Sequence, residues 1–320
     1  MSNISEPLQE SGSLVEKVNS FIDDMPGISP RYKNSYIKPE LADLEIYQRT
    51  IEQMLSGNLS LASSIADSID FQVVIFTDTS ENHNRVYHIL EKRESSNKHW
   101  GLFILNAAPK LKTLFIQSPH PKFDTGTGKQ GIWIFTKTEA KAFYVSGAHR
   151  SNSDSPSDCG GTTTVYRDIS EPFRISDQAH SVQSPLQFAT KTLNSSINNL
   201  MVFQLHGFQK MDSDPYLILS NGNEIVPVTN RLERLKKHLL EQDDSLTIDI
   251  AHIDSAFLIG GTNVQGRLIN GSPDPCNIPG TSNPDRFFHL EQEKYKIREN
   301  KAFWEHLSNA ISLTFSSEED

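Results

Sequence analysis

The sequence predicts an α/β protein of three-layer αβα architecture, with helices on both faces of a mixed, largely parallel sheet and an N-terminal helical extension. The chain has 320 residues, of which 36% are hydrophobic, so it can bury a sizeable core. Beyond residue 70, short apolar runs bounded by turn residues alternate with helical patterns. Before residue 70, the apolar residues recur at helical spacing instead.

The first part of the chain carries three amphipathic helical patterns, which cover residues 14–22, 41–55 and 61–69. No repeat period relates them, which disfavours a solenoid. We therefore expect residues 1–70 to form a polar lead and helical extension, and residues 71–320 to form the α/β domain.

The second part alternates between predicted strands and predicted helices. The strands are residues 71–77, 85–90, 100–105, 111–117, 143–146, 200–205, 216–219, 246–250 and 286–290. The helices are residues 130–142, 185–193, 228–241 and 300–313. Such alternation is typical of a sheet that is buried on both faces.

Charge and hydropathy exclude several classes of partner. Thirty Lys and Arg residues against 40 Asp and Glu residues give a net charge of −10, which disfavours nucleic acids and anionic membranes. The chain has no apolar run of the roughly 18 residues that a membrane-spanning helix needs. Residues 1–10 lack a basic and then apolar leader, so the default expectation is a cytoplasmic protein, with secretion left open.

Two long loops, residues 151–164 and 260–284, are rich in Gly, Pro, Ser and Asn and are candidate active-site loops. They contain the two cysteines of the chain, Cys159 and Cys276. A disulfide between these loops would form only in an oxidising compartment. The sequence leaves that pairing open.

Three residues with acid or imidazole side chains stand where predicted strands end, namely His120, His206 and Glu291. Because ligands bind outside the carboxyl ends of the strands in open α/β sheets, we expect these side chains to converge. A single histidine in such a position is more often structural. The joint placement of three such residues favours a site.

The spacing of these residues indicates a metal site. His120 and Asp124 are four residues apart in a turn, and His206 would complete a set of two nitrogens and one oxygen. Such a set leaves a fourth position open, as in catalytic zinc sites. Glu291 would then act as the general base. The alternative for Asp124 is an Asx-turn or a helix cap.

The motifs around these residues resemble the zinc amidohydrolase and carboxypeptidase superfamily, which includes N-formylglutamate amidohydrolase, the succinylglutamate and aspartate deacylases and the zinc carboxypeptidases. They are Ser-Pro-His120 after a strand, Gln-Leu-His206-Gly-Phe, and Phe-His-Leu-Glu291-Gln before a terminal helix. The resemblance covers roughly residues 100–312 and implies a phosphorylase/hydrolase-like fold with one zinc ion. It also implies that His120 and His206 are ligands and Glu291 the base. Many members have His-x-x-Glu, whereas this chain has Phe123 at that place and its acid at Asp124.

Arginines supply the expected substrate contacts. Arg150 and Asn152 resemble the substrate-positioning Arg and Asn residues of that superfamily, and a guanidinium suits a carboxylate or a developing oxyanion. The alternative for Arg150 is a structural ion pair. Arg267, in a Gly-rich loop, is a second candidate for anion binding, although this loop lacks the spacing of a nucleotide-binding loop.

Other polar segments are interpreted as structural. Arg167-Asp168 and residues 174–180, which contain Asp177 and His180, are polar enough to line a cleft, but a solvated helix entry is favoured. His289 receives a structural role by default.

These observations predict a metal-dependent hydrolase, with zinc as the expected ion, that cleaves an amide or peptide bond in a small, carboxylate-bearing substrate. The alternatives are a metal-dependent phosphoesterase and a non-catalytic carboxylate-binding protein of the same fold.

Overall fold

A computed structural model describes residues 5–28, 34–80, 84–166, 169–255 and 257–316. Its strands are β1 (Leu8–Gly12), β2 (Phe71–Asp78), β3 (Arg85–Lys92), β4 (Leu102–Asn106), β5 (Leu111–Ser118), β6 (Ala140–Val145), β7 (Thr162–Thr163), β8 (Glu171–Pro172), β9 (Met201–Gly207), β10 (Leu217–Ser220), β11 (Ile248–Ile250) and β12 (Phe287–Gln292). Its helices are α1 (Leu14–Asp23), α2 (Leu41–Leu55), α3 (Leu59–Asp67), α4 (Thr127–Thr138), α5 (Pro185–Ser196), α6 (Arg231–Gln242), α7 (Val264–Ile269) and α8 (Lys301–Phe315).

Ten strands form one twisted sheet in the order β1-β2-β3-β4-β6-β5-β9-β12-β10-β11. Five of its nine neighbouring strand pairs are parallel, including the central run β6-β5-β9-β12. The other four pairs are antiparallel. The predicted mixed α/β sheet is therefore confirmed.

The central strands are apolar on both faces, because each face packs against a layer of helices. Along β9, Met201, Phe203 and Leu205 belong to one core cluster and Val202 to the other. Helices α1, α4, α6 and α8 cover the first face, and helices α2, α3, α5 and α7 cover the second. The predicted three layers are present.

The first 70 residues contribute to the sheet as well as to the helical layers. β1 pairs in parallel with β2 at one edge of the sheet, a strand that the polar sequence Leu8–Gly12 did not predict. Helix α1 follows directly, and the Ser13 hydroxyl accepts a hydrogen bond from the backbone N–H of Glu16 at its start. The division of the chain at residue 70 stays a prediction.

One predicted helix boundary is wrong by four residues. The helix predicted to extend to residue 142 ends at Thr138, and β6 begins at Ala140. Glu139 lies between them with a positive φ of 49°, a left-handed conformation that ends a helix. Residues 140–142 are therefore in the sheet and bring β6 to its place beside β5.

In the part of the chain that the structure describes, no helix combines the length and the apolar character that crossing a membrane requires.

Candidate metal centre

The side chains of His120, Asp124 and His206 meet at the carboxyl ends of β5 and β9. His120 lies two residues beyond the end of β5, and His206 is the penultimate residue of β9. A tight turn follows His120, because its carbonyl oxygen accepts hydrogen bonds from the N–H groups of Phe123 (3.0 Å) and Asp124 (2.7 Å). This turn places the Asp124 carboxylate next to the His120 ring.

The three side chains present their atoms to a common point. Oδ2 of Asp124 lies 3.4 Å from Nδ1 of His120 and 3.4 Å from Nδ1 of His206. The two Nδ1 atoms are 3.2 Å apart. All three residues are at least 96% buried, so these polar atoms are largely removed from solvent.

Hydrogen bonds behind the rings indicate which nitrogens carry the protons. Nε2 of His120 lies 2.8 Å from Oδ1 of Asp177, and Nε2 of His206 lies 2.8 Å from Oε1 of Gln204. Both partners are acceptors, so both Nε2 atoms are donors. A neutral ring then carries a lone pair on Nδ1, whereas a protonated ring donates from Nδ1 to Asp124 as well. Gln204 is oriented in turn, because its amide nitrogen donates to Gln117 Oε1 at 2.8 Å.

The spacing of these three atoms fits a tetrahedral ion. Ligand atoms of a tetrahedral zinc site lie about 2.0–2.2 Å from the ion, and hence roughly 3.3–3.6 Å from one another. The observed separations of 3.2, 3.4 and 3.4 Å are close to that value. Two imidazole nitrogens and one carboxylate oxygen suit zinc, and acceptors behind the ligating rings are a regular feature of such sites.

The charge state of Asp124 agrees with a ligand role. Burial alone would raise its pKa, but hydrogen bonds with His120 and His206 hold the pKa well below its usual value. The carboxylate is therefore ionised. The alternative interpretation as a helix cap is not borne out by its side chain, because α4 begins after Gly126 without a side-chain capping hydrogen bond.

Glu291 lies in β12, where it is the register partner of His206 on the neighbouring parallel strand. Its Oε1 is 3.6 Å from Nε2 of His289, whereas its buried Oε2 has no hydrogen-bond partner among the described residues. Burial, and next the charge of Asp124, raise the pKa of Glu291 well above its usual value, against the opposing effects of nearby arginines. Such a carboxyl group is suited to exchange a proton.

Asp177 links the histidines to Arg150, a role that the sequence did not predict. Its Oδ1 accepts hydrogen bonds from His120 and, at 2.9 Å, from Nδ1 of His180. Its Oδ2 accepts from Nε of Arg150 and from the hydroxyl of Tyr166, both at 2.9 Å. The interpretation of this segment as a solvated helix entry is wrong, because Asp177 is 0% exposed. The signal for it in the sequence was the polar character of residues 174–180.

Arg150 lies beyond the end of β6 and lines the same cavity as His120 and Glu291. Its guanidinium is paired with Asp177 and packs over the ring of Phe123. The ion pair offered as its alternative is therefore present, and the position beside the cavity is present as well. Arg150 therefore lines the cavity with its charge balanced by the Asp177 carboxylate.

Neither Asn152 nor Arg267 is among the described residues that line the cavity, so the substrate-binding roles expected of them stay predictions. Asn152 is 0% exposed, and its side chain bonds to the backbone of His149 and Gly27. The Arg267 guanidinium donates to the carbonyl oxygens of Gly261, Pro275 and Cys276. Each side chain therefore bonds to backbone groups of nearby loops.

A cavity of about 660 Å³ opens beside the candidate metal centre. Its walls come partly from the two long loops, which the disulfide Cys159–Cys276 joins. Described lining residues, beyond those of the metal centre, include Thr162, Val165, Phe173, Asn223, Ile225, Leu258, Ile259 and Pro279. The walls therefore combine apolar side chains with polar and charged ones, which also include Thr163, Glu224, Thr262 and Asn263.

Two further histidines line this cavity. The ring of His180 stacks on Phe173 with 3.7 Å between centroids, and its Nε2 has no hydrogen-bond partner among the residues that the structure describes. The ring of His289 packs against that of His206 at 4.5 Å, and burial lowers its pKa well below the usual value. The structural role that the sequence suggested for His289 therefore does not account for its contact with Glu291. Arg167 and Asp168 lie outside the described residues.

No protein-family model matches the sequence, and no curated protein matches it at a significant level. A solved structure with a similar fold is an N-formylglutamate amidohydrolase from Ralstonia eutropha JMP134, with 10% identity and a TM-score of 0.42 over 69% of this chain and 97% of that chain. A candidate carboxypeptidase A from Shewanella denitrificans OS-217 has 11% identity and a TM-score of 0.30, over 80% of this chain and 67% of that chain. A candidate metallopeptidase from Shewanella amazonensis SB2B has 13% identity and a TM-score of 0.32, over 86% and 94%.

These proteins are of the class that the sequence motifs resemble. With identities of 10–13% and TM-scores below 0.5, these likenesses carry no argument about this chain, whose activity depends on its own residues.

Proposed function

We propose that this protein is a metal-dependent hydrolase, with zinc as the expected ion, that cleaves an amide or peptide bond. The observation that carries the proposal is the meeting of three ligand atoms at separations of 3.2–3.4 Å, with the far nitrogen of each imidazole tied to an acceptor. Such a set is organised for a cation.

His120, Asp124 and His206 would hold the ion. When bound, a zinc ion supplies an acidified water and polarises a substrate carbonyl. The protein groups around it have separate tasks. Asp177 and Gln204 keep the imidazole rings oriented, and Arg150 can donate hydrogen bonds toward charge that develops on the substrate oxygen.

Glu291 is the proposed general base and acid. Its unpartnered Oε2 would accept the proton of the attacking water and then return that proton to the nitrogen of the leaving amine. A raised pKa helps the second step, because a carboxyl group that holds its proton more tightly at neutral pH remains available as an acid. Water activation and amine departure then use one side chain.

Metal content tests the proposal first. Protein purified without added metal should contain about one zinc ion per chain by elemental analysis. Removal of the ion with a chelator should abolish hydrolysis of N-acyl amino acids, and zinc should restore it. Chelation that leaves hydrolysis unchanged would contradict the proposal.

Glu291→Gln tests the base. The variant should retain its metal but lose about 10²–10⁴-fold in kcat, the range that a positioned general base contributes. The matched control is Glu241→Gln in α6, an exposed residue far from the site, which should leave kcat unchanged.

The alternatives are decided by the same preparation. Hydrolysis of phosphate esters without hydrolysis of N-acyl amino acids would favour a phosphoesterase. A binding protein of this fold would be favoured by two results together. The unsubstituted protein hydrolyses neither phosphate esters nor N-acyl amino acids, and its ligand binding survives Glu291→Gln.

A further inference from the structure

His180 lines the larger cavity beside the candidate metal centre, and the proposed function gives it no task. It ends a single turn of 3₁₀ helix, in which its backbone N–H donates to the carbonyl oxygen of Asp177 at 2.9 Å. Its own carbonyl oxygen accepts a hydrogen bond from the Ser157 hydroxyl at 2.8 Å. The backbone of His180 is therefore held at both of its polar groups.

Two contacts fix the ring of His180. It stacks on the ring of Phe173, with 3.7 Å between the centroids and 6° between the planes. Nδ1 lies 2.9 Å from Oδ1 of Asp177. Against its burial, the charge of Arg150 holds the pKa of Asp177 well below its usual value, so Asp177 is an ionised acceptor and Nδ1 of His180 is the donor.

Nε2 of His180 is left as a free hydrogen-bond acceptor. It has no partner among the residues that the structure describes, and protein atoms do not enclose it. Burial lowers the pKa of His180 from its ordinary value of 6.5, against the raising effect of Asp177, so the ring is neutral at pH 8. A neutral ring with its proton on Nδ1 carries a lone pair on Nε2. Because His180 lines the cavity, a molecule that enters can reach this lone pair.

Asp177 fixes this acceptor relative to the metal centre. Its Oδ1 lies 2.8 Å from Nε2 of His120, a proposed metal ligand, and 2.9 Å from Nδ1 of His180. The two rings lie 6.3 Å apart between centroids, with only 6° between their planes. Its Oδ2 accepts from Nε of Arg150 at 2.9 Å. One buried carboxylate thus holds a metal ligand, a donor and an acceptor on the same cavity.

An amide substrate has one polar group that the proposed function leaves unmatched. Arg150 can donate to the carbonyl oxygen, and Glu291 serves the attacking water, but the N–H of the scissile amide has no acceptor. The C=O and N–H groups of a trans amide point in opposite directions. The donor Arg150 and the acceptor His180 likewise bond to different oxygens of Asp177.

We propose that His180 is a further catalytic residue, whose Nε2 accepts a hydrogen bond from the N–H of the scissile amide. This inference rests on the proposed function, because the amide is the one that is cleaved at the metal centre. The contact directs the nitrogen lone pair away from His180 as the nitrogen becomes tetrahedral, which leaves that lone pair open to Glu291.

The proposed contact adds no proton transfer to the reaction. Glu291 returns to the nitrogen the proton that it took from the water, and the C–N bond breaks. The amine leaves with its original hydrogen and the returned one, and His180 stays neutral throughout. An ester has no N–H at this place, so His180 should favour amides over esters.

A matched pair of substrates tests the contact. N-benzoylglycine and O-benzoylglycolate differ only in the N–H that an oxygen replaces, and both are assayed at pH 8. In His180→Asn, the short amide can still donate to Asp177 in place of Nδ1, but nothing replaces the acceptor Nε2. We expect kcat/KM to fall about tenfold or more for the amide and to stay unchanged for the ester. The matched control is His238→Asn, since Nδ1 of His238 lies 3.1 Å from Glu241, also three residues away; both substrates should be unaffected.

His180→Gln separates a substrate contact from structural support of Asp177. Its side chain can place an oxygen near the position of Nε2, but it loses the bond to Asp177. A contact predicts that His180→Gln keeps more amide hydrolysis than His180→Asn does, with the zinc content of His180→Asn unchanged by elemental analysis. A greater loss in His180→Gln, equal for amide and ester, would show a structural role and overturn the inference. If His180→Asn does not fold, His180→Phe takes its place, because it keeps the stack on Phe173 and removes the acceptor.

Binding keeps this inference separate from the proposed function. If the unsubstituted protein hydrolyses neither compound, the proposed function fails. Calorimetry with the same pair then decides the contact, because the amide should bind more tightly than the ester, and His180→Asn should weaken binding of the amide alone. Equal affinities for the two compounds, equal weakening of both, or no binding of either would overturn the inference.

Discussion

Glu291 and His206 are register partners on the adjacent parallel strands β12 and β9. This pairing places a candidate metal ligand and the proposed proton acceptor one strand spacing apart, about 4.8 Å between backbones. A slip of β12 by one residue would move the Glu291 side chain to the opposite face of the sheet, away from His206. The hydrophobic pattern of two strands therefore also sets the geometry of the site.

Replacement of Asp177 should weaken metal binding although Asp177 is not a proposed ligand. In Asp177→Asn, the His120 ring loses its charged acceptor and Arg150 loses its counter-ion, so we expect metal affinity to fall about 10–100-fold. Competition with a fluorescent zinc chelator measures the change. Asp254→Asn, which removes a partly exposed ion pair with Lys236 outside the cavity, should leave affinity unchanged. Equal affinities in both variants would rule out the orienting role.

The stability of the metal-free protein should depend on the protonation of Glu291. Its pKa is raised in the folded state from an ordinary value of 4.5, so above pH 4.5 the unfolded chain releases this proton before the folded one does. The free energy of unfolding therefore loses a contribution as pH rises from 4.5 through the raised pKa. Glu291→Gln removes that loss, so its stability relative to the unsubstituted protein should increase with pH in urea titrations. A difference that is constant between pH 4.5 and pH 8 would contradict the raised pKa.

The disulfide between Cys159 and Cys276 should stabilise the protein and the walls of the larger cavity. It closes a loop with a sequence separation of 117 residues. By the chain-entropy argument, the double variant Cys159→Ser/Cys276→Ser should lose about 2–4 kcal/mol of unfolding free energy. Urea titration with and without dithiothreitol measures this, since the reductant should lower the stability of the unsubstituted protein only. Equal stability of the reduced and oxidised forms would show that the bridge contributes little.

Gly260 should be sensitive to substitution because of the His289 ring. A Cβ atom at Gly260 would lie 2.8 Å from that ring, in a backbone conformation with φ of +72°. Gly260→Ala should therefore destabilise the protein by more than the roughly 1 kcal/mol of backbone strain. It should also lower kcat, because His289 is the neighbour of Glu291. The matched control is Gly57→Ala, where φ is +78° and no atom lies within 4 Å, so only the strain remains. Equal loss of stability and unchanged kcat in both variants would contradict this.

Local pattern predicted most of the fold. The predicted strands at residues 71–77, 111–117 and 200–205 differ from β2, β5 and β9 by at most two residues at either end. Their apolar runs pack on both faces, so the signal for them is in the composition itself. The strand β1 was not predicted because four of its five residues are polar or glycine. Its position is fixed by pairing with β2 rather than by burial.

By itself, the sequence determined the apolar periodicity that gives the αβα layers. It identified His120, His206 and Glu291 as residues at the ends of strands that can meet, and Asp124 as an acid in the turn after His120. Only the tertiary structure decided the partners of the arginines. Arg150 is paired with Asp177, Arg267 is held by loop carbonyls, and Arg298 packs beside Thr125 from 173 residues away. The physical reason is that periodicity reports whether a residue faces the core, whereas the partner of a long charged side chain depends on which distant segment folds within a few ångströms of its tip.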